Sequence, residues 1–176
     1  MKKYLLFFSV LLLVNACGWH LRGTGNLDLG TNSVFVIADK RHGNLMIEFE
    51  RSLAANGVVA ASSASSADYI ITLSNERHSR RAVSVGNDAL VTEYELTLGV
   101  DYRIEDANGV LAPTTRAQVV RSYQFDLNAI VAKTEEERLI LQEMQGAVIE
   151  QVFRRLRFIS RASAASSEPG DGLSAP

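Results

Sequence analysis

Along most of the chain the apolar residues recur with one of two rhythms, every second position or every three to four, and the changes of rhythm predict the elements. Val34 to Ala38 is a short continuous apolar run rich in β-branched residues, which predicts a buried strand. Between His42 and Asn56, the residues Leu45, Phe49 and Leu53 recur every fourth position among charged neighbours, forming the stripe of an amphipathic helix. Asn56-Gly57 predicts its end, because glycine enters the left-handed conformation after a helix without a Cβ clash. The Ser/Ala-rich stretch Ala60 to Ala67 reads as a loop, and Tyr69 to Ser74 resumes the strand pattern.

The clearest strand runs from Val91 to Glu105. Tyr94, Leu96, Leu98, Val100, Tyr102 and Ile104 fall on one face, and Glu93, Glu95, Thr97, Asp101, Arg103 and Glu105 on the other. A period of two places one face on a core and leaves the other wet. Asp106-Ala107-Asn108-Gly109 supplies hairpin turn residues. A further strand is expected after Pro113, with Ala117, Val119, Tyr123 and Phe125 on the core face and Arg121 interrupting it. Thr134-Glu135-Glu136-Glu137 has the form of a capping box and predicts a helix start. Leu141, Met144, Val148, Val152 and Leu156 then form an apolar stripe to about Phe158.

The expected order is β-α-β-β-β-α. A right-handed crossover pairs the first two strands in parallel, and the hairpin adds antiparallel ones. Every amphipathic face is buried if the domain, residues 31–160, is a two-layer α/β sandwich with two helices on one side of a mixed four-stranded sheet.

The N-terminus has a different character. Lys2 and Lys3 precede Tyr4 to Val14, an apolar run broken only by Ser9. That run is shorter than the ~20 residues of a membrane-spanning helix and fits the core of a signal peptide, residues 1–16. It ends at Val14-Asn15-Ala16-Cys17, the form of a lipobox, and Cys17 is the sole cysteine. The expectation is cleavage before Cys17 and lipid attachment to it, with residues 17–30 as a linker to the domain. The alternative is a secreted protein cut at another small residue, with Cys17 free. Several acyl chains, at ~0.8 kcal/mol per buried CH₂, make a permanent anchor. Gly18 stands where aspartate signals retention at the inner membrane, so the outer membrane is the expected destination. Residues 161–176 are small, polar and Pro/Gly-bearing, and read as a disordered tail.

Charge narrows the function. The chain carries 18 Lys and Arg against 20 Asp and Glu; loss of Lys2 and Lys3 leaves the mature chain more acidic, against a dedicated nucleic-acid binder. No zinc spacing links His20, His42 and His78, no G-x-S-x-G elbow occurs, and Gly23-Thr24-Gly25 begins no dinucleotide motif. Glu93 and Glu95 read as surface decoration on a wet strand face. No catalytic residue, metal ligand or cofactor is nominated. Cations are the more informative groups. Arg77, Arg80 and Arg81 adjoin the Gly86-Asn87-Asp88 turn, Lys133 precedes the final helix, and four arginines lie between Arg154 and Arg161. If these connections share one end of the sandwich, Lys133, Arg80 and Arg81 meet a polyanion such as a phosphorylated glycolipid. The alternative is that they are solvated loop charges.

Several of these segments resemble one family. Cys17-Gly18-Trp19-His20-Leu21-Arg22 resembles the mature start of the LPS-assembly lipoprotein LptE family. Thr92-Glu93-Tyr94-Glu95, Arg121-Ser122-Tyr123 with Asp126, Ala132-Lys133, Glu143-Met144 and Arg154-Arg155-Leu156 resemble its later segments, in order. The resemblance implies a non-enzymatic plug inside the outer-membrane β-barrel LptD, which assists that barrel's assembly and binds lipopolysaccharide (LPS) at basic loop tips. Lys133 matches one such position. Where the family places an arginine in the loop before Thr92, this chain has Asn87 and its neighbours, and Arg80 and Arg81 are the substitutes. The rival expectation is a structural lipoprotein that braces an outer-membrane complex without glycolipid affinity.

Overall fold

A computed structural model of the chain describes residues 29–167. The expected signal peptide, Cys17, the linker up to residue 28 and residues 168–176 lie outside the described residues. Within them the elements are β1 (Ser33–Ala38), α1 (Asn44–Ala55), β2 (Val59–Ala60), β3 (Tyr69–Val85), β4 (Val91–Asp106), β5 (Gly109–Gln124) and α2 (Ile130–Ser167).

The sheet has five strands in the order β2-β1-β3-β4-β5, not the four expected. The additional strand is the two-residue β2, parallel to β1 at the edge; it straddles the start of the stretch read as loop and was not expected because two residues carry no periodicity. β1 and β3 are parallel, joined through α1, and β3, β4 and β5 form an antiparallel meander. Both helices cover one face. Leu96, Leu98, Val100, Tyr102 and Ile104 of β4 are buried there with Phe49 and Leu53 of α1 and Met144, Val148, Val152, Phe153 and Leu156 of α2. Phe49 and Phe153 meet edge to face, with centroids 5.1 Å apart.

The predicted turns hold. Gly57 has φ +76° after α1, and at the β4–β5 hairpin the Asp106 carboxylate accepts from the Asn108 and Gly109 amides, Gly109 having φ +134°. Two strand boundaries differ. β3 does not stop at Ser74 but runs to Val85, so Arg77, Arg80 and Arg81 are strand residues, not loop residues. The apolar alternation ends early because the register slips between Ser74 and Arg77, at Asn75 with φ +53°, and the far half of the strand is largely exposed. β5 begins at Gly109, ahead of Pro113. Proline is tolerated there because β5 is an edge strand.

The capping box is also corrected. α2 starts at Ile130, and the Thr134 hydroxyl donates to the Ile130 carbonyl at 2.8 Å, one turn back inside the helix. The cap is Asp126, whose carboxylate accepts from the Asn128 amide at 2.9 Å and opens a short 3-10 turn, Leu127–Ala129, leading into α2. At its other end α2 continues past Phe158 to Ser167, so the first residues of the expected tail are helical. Alanine is the best helix former, and no proline intervenes before Pro169.

Candidate functional site

Strand geometry separates Arg80 from Arg81. Arg80 pairs with Leu96 and Arg81 with Glu95 across β3–β4, so the two side chains leave opposite faces of the sheet. Arg80 lies on the helix side because the irregularity at Asn75 reverses the phase of β3. Its Nη1 donates to Glu137 Oε2 of α2 at 2.8 Å, and its guanidinium lies 4.6 Å from the centroid of Tyr94. Tyr94 in turn stacks on Tyr123 and meets Phe125 edge to face. The Tyr123 hydroxyl donates to the same Glu137 oxygen at 2.5 Å.

This network is electrostatically self-consistent. Burial pushes the Tyr123 hydroxyl up, the hydrogen bond to Glu137 pushes further, and its pKa reaches about 12. Burial alone would raise Glu137, but the hydrogen bonds from Tyr123 and Arg80 outweigh it and hold the carboxyl below the ordinary glutamate value. Arg80 is held above its ordinary value, first by its hydrogen bond to Glu137.

Arg81 faces the open side, where its Nη2 meets Glu95 Oε1 at 2.8 Å. That face carries further pairs, Arg103 with Glu105 and Arg116 with Asp101, each at 2.7 Å. Lys133 sits in the first turn of α2, not in a connection, and its Nζ meets Glu136 Oε2 at 2.7 Å. It lines an open cleft with Ser84, Thr92, Glu93, Gln124, Phe125 and Asp126. Beside that cleft are the exposed apolar residues Val85 and Leu90 of the β3–β4 turn, and Leu127, Ile130 and Val131 before and within the start of α2. Arg80 and Lys133 therefore share one end of the domain, since Glu137 follows Lys133 by one helical turn, and Arg81 is turned away. All three cations have a carboxylate partner. The Gly86–Leu90 connection is a tight turn closed by the Gly86 amide on the Leu90 carbonyl at 2.8 Å, with Ala89 at φ +63°.

Glu137, Tyr123 and Tyr94 were not nominated from the sequence. Tyr123 and Tyr94 were legible as core-facing strand positions, but their link to Glu137 depends on the α2 start and the β3 irregularity. A broad groove between α1, α2 and the sheet is lined by Glu48, Arg51, Glu76, His78 and Arg138. Among the described residues no group of three or more His, Cys, Asp or Glu is placed to hold a metal, and no helix is long and apolar enough to cross a membrane.

Two helices over one face of a mixed sheet, with the charged groups paired along open surfaces, define an α/β sandwich whose polar groups are displayed outward. The family model described as LptE, lipopolysaccharide-assembly, matches residues 33–156, and the chain belongs to that family. It is 27% identical over 158 residues to the LPS-assembly lipoprotein LptE of Photorhabdus laumondii subsp. laumondii, covering 90% of this chain and 86% of that one. Among solved structures, an uncharacterized lipoprotein B from Nitrosomonas europaea has the same fold at TM-score 0.67 and 22% identity, covering 88% of this chain and 99% of that one. The rare lipoprotein B of Shewanella oneidensis follows at TM-score 0.58 and 20% identity, covering 77% and 96%.

Proposed function

We propose that this chain is a lipoprotein of the outer membrane, acylated on Cys17, which occupies the lumen of the LptD β-barrel, assists its assembly and binds LPS for delivery to the outer leaflet. The observation that carries this reading is the family match, which spans every strand and most of α2. The open sheet face supports it as well. Arg81–Glu95, Arg103–Glu105 and Arg116–Asp101 make that face polar, in keeping with the polar interior of large outer-membrane barrels. LPS contacts are assigned to Lys133, with Arg80 and Arg81 as candidates. Lys133 joins an exposed apolar rim to a cation, the combination an acylated phosphate requires. The action is binding, in which Lys133 exchanges Glu136 for an LPS phosphate and so competes with the divalent cations that bridge LPS. The test is affinity purification from detergent-solubilised outer membranes, where a stoichiometric LptD barrel is expected and its absence rejects the reading.

A second reading, a bracing lipoprotein without glycolipid affinity, is favoured by one observation. Arg80, Arg81 and Lys133 are each held by a carboxylate, which any LPS phosphate must displace. A barrel partner recovered with the protein, together with no LPS binding by the purified complex, is its signature.

A further inference from the structure

The C-terminal part of α2 has two opposed faces. Val152, Phe153, Leu156 and Ile159 are buried, whereas Arg154, Arg155, Phe158 and Arg161 are exposed. At 3.6 residues per turn those four exposed side chains occupy about one third of the circumference, opposite the buried stripe. Arg157 lies half-buried at its margin. Among the described residues none of the four arginines has a carboxylate within ion-pair distance, whereas Arg80, Arg81, Arg103, Arg116 and Lys133 each do. Phe158 is 65% exposed, with the Arg155 guanidinium 5.6 Å from its ring centroid.

The position of this face in the fold is the second observation. The Ser160 hydroxyl donates to the Leu29 carbonyl at 2.7 Å, so the chain enters the domain against the last turns of α2. Cys17 lies twelve residues upstream of Leu29. At up to about 3.6 Å per residue, that length reaches from an anchoring leaflet to this end of the domain. Among the described residues, two acids at the same end are occupied. Asp68 accepts from the Thr31 hydroxyl and the Asn32 and Ser33 amides, and Asp106 accepts from its own turn. Glu150, one turn before Arg154, lines a groove with both Arg121 and Arg154 and is ion-paired with neither.

We propose that Arg154, Arg155, Arg161 and Phe158 dock this end of α2 on anionic phospholipid headgroups of the leaflet that holds the acylated Cys17; the placement rests on the acylation reading above. Guanidinium forks match phosphate geometry, and an exposed aromatic ring resides well at headgroup level. The chain as a whole is acidic. Most other described cations are paired with carboxylates, so this face offers an anionic bilayer several guanidiniums at once, which gives the tether an orientation.

The test uses the mature chain with Cys17→Ser, purified without acyl groups, in flotation with vesicles of phosphatidylcholine alone or with added phosphatidylglycerol. The protein is expected to float with the anionic vesicles only. Arg154→Gln/Arg155→Gln/Arg161→Gln lowers partitioning roughly a hundredfold, at about fivefold per arginine, with unchanged circular dichroism. Arg161→Gln alone lowers it about fivefold, which keeps the test informative if the triple variant folds poorly. Equal flotation with neutral vesicles, an unaffected triple variant, or no flotation at all overturns the proposal. The last result is the one expected if these arginines face an acidic protein surface. Because no acyl chain takes part, this assay and the chemistry at Cys17 succeed or fail independently.

Discussion

The side-chain amide of Gln151 on α2 lies against the backbone of Gln118 on β5, accepting from its N–H at 3.2 Å and donating to its carbonyl at 2.9 Å. One side chain thus supplies the pair of hydrogen bonds that a neighbouring strand would make at that point of the edge. Unpaired edge strands are templates for adding foreign strands, and covering one with a helix is a common protection. Gln151→Ala removes both bonds and is expected to lower stability by about 1–2 kcal/mol. A lower Tm, with increased self-association on size-exclusion chromatography, checks it. An unchanged Tm would show that water replaces the amide at no cost.

The Glu137 network predicts two pH limbs. Because the folded-state pKa of Glu137 lies below its ordinary value of 4.5, its stabilising contribution is complete above that value and is lost as pH falls through the lower folded value. His78 adds its charge in the same direction. Tyr123 behaves oppositely. Its contribution is complete below pH 10 and is lost as pH rises toward about 12. Tm measured against pH should therefore fall at both ends. Glu137→Gln is expected to flatten the acid limb relative to wild type, and Tyr123→Phe the alkaline limb. Parallel acid limbs in wild type and Glu137→Gln would contradict the assignment.

The entry of the chain into the domain depends on close approach. Gly30 has φ +65°, and a Cβ there would lie 2.5 Å from the Ser160 hydroxyl oxygen. Gly30→Ala is expected to cost about 2 kcal/mol, from left-handed strain and from displacing the bond between Ser160 and Leu29. Ser160→Ala alone should cost about 1 kcal/mol. The double variant should be less destabilised than the sum of the two, which denaturant unfolding of all four proteins measures.

Lys133 and Glu136 make a paired prediction for LPS. Lys133→Glu should weaken binding by about tenfold, since a charge-assisted contact becomes a repulsion. Glu136→Gln should strengthen it, because the lysine then has no competing carboxylate 2.7 Å away. Direct binding to folded, purified protein measures both. If neither substitution moves the affinity, Lys133 has no part in the contact.

Much of this fold was legible because one element, β4, has an uninterrupted alternation over a surface that is half core and half wet. Its six apolar positions pointed to the helix side as read, with Tyr94 half-buried and the others buried. β3 was legible only to Ser74. Past that residue the strand loses helix cover and shifts phase, so sequence rhythm no longer reports its structure. The start of α2 was misplaced because Thr134-Glu135-Glu136-Glu137 matches a cap pattern, while the true first turn exposes Ile130 and Val131, apolar residues that a surface helix usually turns inward. The site suffered most from this. Arg80 and Arg81 are neighbours in sequence and read as one cluster, yet a strand sends neighbours to opposite faces, and only Arg80 lies on the face that α2 and Lys133 cover.

The uninterrupted course of α2 also sets a distance. From Ile130 to Ser160 the helix rises about 45 Å at 1.5 Å per residue, close to the thickness of a bilayer with its polar margins. α2 is therefore a ruler. It holds Lys133 about 40 Å from the point where Leu29 enters the domain beside Ser160, and deleting a single turn would shorten that span by about 5.4 Å.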